Sequence, residues 1–197
     1  MLCKQRLYSY NMRVFNNQLQ SIKMSHIKTL FSEEQLKERV AEMGREITDF
    51  FKGSDLTVVV LANGGVPFAA DLMRKIDLPL FMDTLSVASY HADKRGDELV
   101  FRSSLKLSPK GRRILVLDEV LDSGRTLKGV VNYLLKEGAV DVHTAVIVRK
   151  DDINRGPDCL DTADWVGFNC PNLYLIGYGL DSNELYRNLP FIGVLEN

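Results

Sequence analysis

The feature that most constrains the fold is a strand–turn–helix–strand succession between residues 114 and 148. Residues 114–117 are all apolar and predict a buried strand, and Asp122-Ser123-Gly124 predicts a turn. Residues 126–136 carry apolar side chains at helical spacing, and Gly138 ends that helix. Residues 142–148 then predict a second strand. Two strands joined by a helix predict a parallel pair with a right-handed crossover.

The chain before this unit shows the same alternation of strands and helices. A capping box at Ser32 and Gln35 opens a predicted helix, and the apolar run 56–62 predicts a strand covered on both faces. A helix over residues 66–76 and a strand over 80–87 follow, and then a polar stretch, 89–97, is typical of a loop or hairpin tip. We therefore predict one α/β domain with a parallel sheet flanked by helices.

Composition and charge limit the classes of binding partner that the protein is expected to have. The formal net charge is -1, which argues against nucleic-acid binding, and no apolar run has the length of a membrane span. The three cysteines form no CxxC pair and the three histidines lie far apart in the chain. This pattern favours a cytoplasmic protein over a disulfide scaffold or a Cys/His metal cluster.

Acidic residues cluster where the central strand ends. Asp118 and Glu119 directly follow the predicted strand, and Asp122 begins the turn that continues as Ser123-Gly124-Arg125-Thr126. Open α/β sheets bind ligands at the carboxyl ends of their strands, and a helix start binds phosphate. Helix capping alone accounts for one acid but not for three. The pattern indicates a ribose phosphate, with Asp118 and Glu119 at ribose hydroxyls or magnesium and the turn at the 5′-phosphate.

These residues resemble the phosphoribosyl pyrophosphate signature of type I phosphoribosyltransferases. Later segments resemble the hypoxanthine-guanine branch of that family in the right order, and so do two earlier pairs. These matches are residues 164–168, Pro171, 176–181, 186–190, Gly64-Gly65 and Ser89-Tyr90. The resemblance implies the type I phosphoribosyltransferase fold. In that fold a parallel sheet is flanked by helices, and a small C-terminal hood is formed largely by residues 160–197 with the N-terminal part.

The resemblance also implies an activity. It indicates purine salvage, in which the 5-phosphoribosyl group of phosphoribosyl pyrophosphate is transferred to N9 of hypoxanthine or guanine. The products are IMP or GMP and pyrophosphate, the cofactor is Mg²⁺, and the assembly is a homodimer or homotetramer. A xanthine- or guanine-preferring relative is one alternative, and a non-catalytic nucleotide-sensing regulator is another. Asp122 is present and the charge is near zero, so an enzyme is favoured.

The roles implied for the phosphate side of the site follow the matching positions. Asp122 is the acid/base residue that faces the purine N7, and the next four residues bind the 5′-phosphate. Ala62, Asn63 and Gly64 form the pyrophosphate loop, which in the family often contains a cis peptide bond. Arg187 contacts pyrophosphate. Ser89 and Tyr90 form the tip of a lid that closes over the reacting centre.

The resemblance places the purine between Trp165, which stacks on the base, and Val166, whose backbone contacts its edge. Arg149 aligns best with a lysine that binds the 6-oxygen, and Lys150 is the alternative after a one-residue shift. Asn172 stands where the family has an aspartate that helps orient magnesium and contacts the 2-position of the purine. Two further departures are Asn63, where relatives place Lys or Arg, and the order Asp118-Glu119, which leaves the metal and ribose roles of this pair open.

The N-terminal region differs from the rest of the chain in its charge. Residues 1–31 contain five basic residues and no acidic residue. This bias is compatible with a targeting peptide, but the asparagines and the lack of Ser/Arg richness favour an upstream start before Met24. We expect residues 1–23 to be a dispensable extension and residues 24–197 to form the phosphoribosyltransferase domain.

Overall fold

The computed structural model describes residues 27–90, 98–151, 153 and 155–196. The predicted N-terminal extension, residues 1–23, lies outside the described residues, and so does most of the predicted lid loop, residues 91–97.

The centre of the molecule is a six-stranded sheet with the order β4-β3-β2-β5-β6-β7. All neighbouring pairs are parallel except β3 and β4, which are antiparallel. The strands are β2 Leu56–Ala62, β3 Leu80–Tyr90, β4 Glu98–Phe101, β5 Arg113–Leu121, β6 Asp141–Lys150 and β7 Trp165–Cys170. Because β2, β5 and β6 are adjacent and parallel, their carboxyl ends lie side by side at one edge of the sheet.

Three helices cover this sheet: α1 Glu33–Phe51, α2 Val66–Met73 and α3 Arg125–Lys136. Helices α1 and α2 pack on one face of the sheet together with Val58 and Val60, and α3 packs on the other face together with Val59. Successive side chains of a strand point to opposite faces, so a strand covered on both faces needs the unbroken apolar run that β2 has.

A second, smaller sheet joins the two ends of the described chain. It contains β1 Ile27–Phe31, β9 Ile192–Leu195 and β8 Leu175–Ile176 in the order β1-β9-β8, and both of its pairs are antiparallel. The predicted α/β class, a parallel sheet flanked by helices, is confirmed. The range predicted for the hood, 160–197, includes β7, and β7 pairs in the large sheet.

Several predicted boundaries differ from the structure, and two of them concern strands that line the cleft. The central strand does not stop at residue 117 but continues through Leu121, because Asp118 and Val120 remain paired with β6. Strand β3 extends to Tyr90, which pairs with Glu98 of β4. Asp118 and Glu119 therefore lie near the end of β5, where that strand still pairs with β6. Within the described ranges, no helix is long and apolar enough to cross a membrane.

Candidate active site

The carboxyl ends of β2, β3 and β5 form one wall of a cleft of about 350 Å³. Opposite them lies the C-terminal segment that carries Asp181, Glu184 and Arg187. The structure therefore brings the predicted pyrophosphate loop, the acid pair, the phosphate turn and Arg187 to a single cavity, although they are far apart in the chain.

The loop after β2 forms the floor of this cleft. The peptide bond between Ala62 and Asn63 is cis, as the family resemblance implies. A Cβ atom on Gly64 would lie 1.9 Å from Oε1 of Glu119, and one on Gly179 would lie 2.0 Å from the Gly64 carbonyl oxygen. The Glu119 side chain could move aside, but at Gly179, which has a φ of 103° and faces backbone, only glycine allows so close an approach.

Acidic side chains dominate the cleft. Its lining includes five acids and two arginines, namely Asp118, Glu119, Asp122, Asp181, Glu184, Arg102 and Arg187. Burial and the neighbouring Glu119 carboxylate raise the pKa of Asp118 well above its ordinary value. A cluster of this sign attracts a cation, or a sugar on which positive charge develops.

The arrangement fits the way in which Mg²⁺ binds to enzymes. Among the described residues, no three His, Cys, Asp or Glu side chains lie close enough together to hold a metal by themselves. Mg²⁺ usually keeps several waters and is held by one or two carboxylates plus substrate phosphates. Asp118, Glu119 and Asp181 line the cleft and suit this mode, whereas the predicted ligand Asn172 is exposed and does not line it. Asp181 therefore replaces Asn172 as the candidate.

The phosphate turn is fixed by its glycine. Gly124 has a φ of 79° and is the N-cap of α3, and a Cβ atom there would lie 2.1 Å from the carbonyl oxygen of Leu160. The Leu160 amide donates to the Gly124 oxygen over 3.1 Å. The first amides of α3 have no intrahelical acceptor, which makes them available for an anion. Ser123, Gly124 and Thr126 line the cleft, while Arg125 lines a neighbouring pocket.

Lys150 lies against the predicted acid/base residue. Its Nζ is 2.7 Å from Oδ2 of Asp122, and its side chain is 13% exposed while that of Asp122 is 52% exposed. The guanidinium of Arg149 is engaged elsewhere, with Asp151 at 2.6 Å and the Asp161 carbonyl oxygen at 3.1 Å. Of the two residues that the sequence left open for the purine 6-oxygen, the structure brings Lys150 to Asp122.

The structure does not bring Trp165 and Val166 to the cleft. In the β6–β7 ladder Trp165 pairs with Ala145, and Cys170 pairs with Lys150. Trp165 is therefore five residues, about 16 Å, from the strand end that carries Lys150. It packs in the core, with its ring centroid 5.2 Å from that of Phe50.

Val166 is also far from the cleft, because it pairs with Val146, four residues before Lys150. Its carbonyl oxygen accepts a hydrogen bond of 3.1 Å from Arg39 of α1, and the next carbonyl, that of Gly167, accepts one of 3.2 Å. Both residues predicted to hold the purine are thus parts of the fold, and their assignment to the base is corrected. The aromatic ring that follows the end of β7 is that of Tyr174, which is 61% exposed.

The predicted lid residues lie at the end of β3. The backbones of Ser89 and Tyr90 pair with Leu99 and Glu98 of β4. The predicted closing segment between these strands falls on residues 91–97, outside the described part of the chain.

Sequence reasoning missed several residues of the site. Asp181 accepts from Arg187 over 2.8 Å, and the matched segment 176–181 already contained it. Arg102 enters the cleft from the segment after β4. Arg155 donates hydrogen bonds to backbone oxygens at the ends of β5 and β6. It lies in a segment without helical or strand periodicity, so no local pattern marked it.

Residues 26–183 match the phosphoribosyl transferase domain family. The chain belongs to this family. The resemblance drawn from the sequence motifs is thereby confirmed. The cleft lies at the carboxyl ends of the strands, which is where open α/β sheets bind ligands.

Comparison with individual phosphoribosyltransferases supports this membership. The chain is 36% identical over 194 residues to the bifunctional protein TilS/HprT of Listeria innocua, and the match covers 98% of this chain but 29% of that relative. It is 35% identical to the hypoxanthine-guanine phosphoribosyltransferase of Dictyostelium discoideum, over 86% of this chain and 95% of the relative. The structure of a hypoxanthine phosphoribosyltransferase from Staphylococcus aureus superposes with a TM-score of 0.82 at 30% identity, over 87% of this chain and 93% of that one.

Proposed function

We propose that this protein transfers the 5-phosphoribosyl group of phosphoribosyl pyrophosphate to N9 of hypoxanthine or guanine, giving IMP or GMP and pyrophosphate. The observation that carries the proposal is the contact of 2.7 Å between Lys150 and Asp122 at the edge of the cleft, next to the phosphate turn. The names of the Dictyostelium and Staphylococcus relatives support the same class of base.

The pair matches one edge of a 6-oxopurine. On that edge the 6-oxygen accepts a hydrogen bond, and N7, when protonated, donates one. An ammonium group beside a carboxylate offers the complementary donor and acceptor, so Lys150 binds the 6-oxygen and Asp122 binds N7. Adenine carries a donating amino group at position 6 and faces the Lys150 ammonium with the wrong polarity. A site built for one pattern rejects the other strongly.

The acids supply the electrostatics of the transfer. As N9 forms its bond to the anomeric carbon and the bond to pyrophosphate breaks, positive charge develops on the ribose. The Glu119 carboxylate stabilises that charge, as does Asp118, whose raised pKa falls again when a cation lies beside it, and both accept hydrogen bonds from the ribose hydroxyls. Asp122 accepts the proton from N7 as N9 attacks. The turn from Ser123 to Thr126 holds the 5′-phosphate and so fixes the sugar against the base.

The leaving group is held on the other side of the cleft. The amides of the loop from Ala62 to Gly64 bind pyrophosphate, and Arg187 and Arg102 contribute positive charge, which the loop itself lacks at Asn63. Asp118, Glu119 and Asp181 are the residues that would hold Mg²⁺. When bound, this ion neutralises the charge that builds on the departing oxygens.

Two further parts complete the proposal. The hairpin that carries Ser89 and Tyr90 closes over the reacting centre and excludes water, which would otherwise hydrolyse the sugar. Tyr174 takes the role first assigned to Trp165, because it follows the strand end that carries Cys170, the ladder partner of Lys150. We further propose a homodimer or homotetramer in the cytoplasm, in line with the free thiols of Cys159 and Cys170.

A turnover panel tests this function. The purified protein is given phosphoribosyl pyrophosphate, Mg²⁺ and one of four bases: hypoxanthine, guanine, xanthine or adenine. We expect turnover of hypoxanthine or guanine and rejection of adenine by orders of magnitude. A clear preference for xanthine or for guanine alone would instead identify a relative of different specificity. Equal use of adenine and hypoxanthine would contradict the proposal, and nucleotide binding without any turnover would indicate a regulator.

A further inference from the structure

The guanidinium of Arg155 joins the two strand ends that carry the proposed catalytic pair. Its Nε donates to the carbonyl oxygen of Asp122 over 2.9 Å, and one terminal nitrogen donates to the carbonyl oxygens of Leu121 and Lys150 over 3.2 and 2.5 Å. Two of these three oxygens belong to the residues whose side chains pair, Asp122 and Lys150.

These oxygens lie where the sheet can no longer bind them. Leu121 is the last residue of β5 and Lys150 is the last residue of β6. Beyond those points the backbones diverge, since one enters the phosphate turn and the other enters the segment that leads to Arg155. A planar guanidinium carries several donors in a fixed geometry and can bridge both backbones at once, which a lysine ammonium does less well.

We propose that Arg155 is a positioning residue that fixes Asp122 relative to Lys150. This inference rests on the proposed function, because it concerns the geometry in which the pair meets the purine. Asp122 is half exposed and is followed by a turn, so its side chain alone does not determine its place. The bridge by Arg155 links the backbone of the acid to the backbone of the lysine.

The phosphate turn has a separate anchor. Gly124 is held by Leu160, through a hydrogen bond of 3.1 Å, and not by Arg155. Loss of Arg155 therefore changes the base side of the site more than the phosphate side. Small misplacement of reacting groups can cost about 10²-fold in rate. We expect Arg155→Ala to lower kcat/KM for hypoxanthine by about 10- to 100-fold, while KM for phosphoribosyl pyrophosphate changes by less than about threefold, since that substrate relies on the separately anchored turn.

The chain offers a matched control in Arg39. That arginine also donates to two backbone oxygens, those of Val166 and Gly167, but at the other end of the β6–β7 ladder. Arg39→Ala should lower the melting temperature and leave both KM values and kcat unchanged. If Arg155→Ala behaves like Arg39→Ala, with no specific loss at the base side, the positioning role is wrong.

Chemical rescue separates positioning from general unfolding. Guanidinium ion at millimolar concentration should restore part of the activity of Arg155→Ala, because the ion can occupy the vacated place between the carbonyl oxygens. It should not improve the parent protein. Arg155→Lys keeps the charge but not the planar set of guanidinium donors, so its activity should lie between that of the parent and that of the alanine variant. A loss of activity that no guanidinium restores and that follows the unfolded fraction would overturn the inference.

A second readout does not depend on turnover. In ¹⁵N-lysine-labelled parent protein, Asp122→Asn should shift the Nζ resonance of Lys150, because the two groups are in contact. The same substitution made in the Arg155→Ala background should shift it much less. A shift of equal size in both backgrounds contradicts the inference. If the parent turns over no purine at all, the proposed function fails, and this measurement still determines whether Arg155 controls the pair.

Discussion

The two ends of the β6–β7 ladder carry opposite chemistry. At the start of the ladder, Trp165 packs with Phe50, Phe51 and His143, and it is 8% exposed. At the other end, the charged side chain of Lys150 contacts that of Asp122, which lines the cleft. The same two strands thus contribute Trp165 and His143 to an aromatic cluster at one edge of the sheet, and Lys150 to an ion pair with Asp122 at the other.

Strand register, and not residue type, determines which side chains of the ladder lie at the carboxyl edge of the sheet. The indole of Trp165 has the chemistry to stack on a base. Arg149 and Lys150, which are neighbours on β6, both have the chemistry to bind the 6-oxygen of that base. Parallel pairing determines which of them reaches the carboxyl edge, where α/β sheets bind ligands. Substitutions at the two ends should therefore change different properties: stability at the Trp165 end and turnover at the Lys150 end.

The largest effect is expected at the aromatic end, and it should be on stability. Trp165→Ala removes a buried indole and should lower the free energy of unfolding by about 3–5 kcal/mol. The measurement is urea unfolding, with Trp165→Phe as the control that retains most of the packing. The folded fraction of the alanine variant should keep the parent KM for hypoxanthine. Unchanged stability together with a raised KM for hypoxanthine would indicate that Trp165 contacts the purine after all.

At the charged end, Asp122→Asn should retain the fold and lose turnover. The amide cannot accept the N7 proton, so kcat should fall by about 10²-fold or more. Binding of phosphoribosyl pyrophosphate, followed by calorimetry, should stay close to that of the parent, because the phosphate turn has its own anchor at Leu160. Turnover near the parent rate would show that Asp122 is not the acid/base residue.

A smaller effect is expected for the exposed ring beyond β7. Tyr174→Ala should raise KM for hypoxanthine by about tenfold, since an aromatic face stacked on a base contributes about 1–3 kcal/mol. Tyr174→Phe keeps the ring and should behave like the parent. The melting temperature should change little in either variant, because Tyr174 is 61% exposed. An unaltered KM in the alanine variant would place the base elsewhere.

Much of the fold and of the phosphate side could be predicted from the sequence. The β5–turn–α3 unit, the acid pair, the glycine turn and the loop from Ala62 to Gly64 are local in the chain, and local patterns determine them. Arg187 was predicted through its motif, and the structure places it in the cleft.

The base side of the site could not be predicted in the same way. Whether Arg149 or Lys150 faces Asp122 depends on the alternation at the end of β6, and a shift of one residue exchanges the two faces of a strand. The place of Trp165 depends on its pairing with Ala145, which is a long-range contact. Arg155 donates hydrogen bonds to backbone oxygens. Every residue has such an oxygen, so no pattern of side chains in the sequence marks the partners of Arg155.

The most direct test of this account compares Lys150→Ala with Arg149→Ala. In both variants kcat/KM is measured with hypoxanthine at saturating phosphoribosyl pyrophosphate, and folding is checked by thermal denaturation. Lys150 lies 2.7 Å from Asp122, so its loss should lower kcat/KM by about 10²-fold or more. Arg149→Ala loses contacts only to Asp151 and Asp161 among the described residues, and it should change kcat/KM by less than about threefold. If Arg149→Ala is the more damaging substitution, the charged end of the ladder has been assigned to the wrong residue and the account is contradicted.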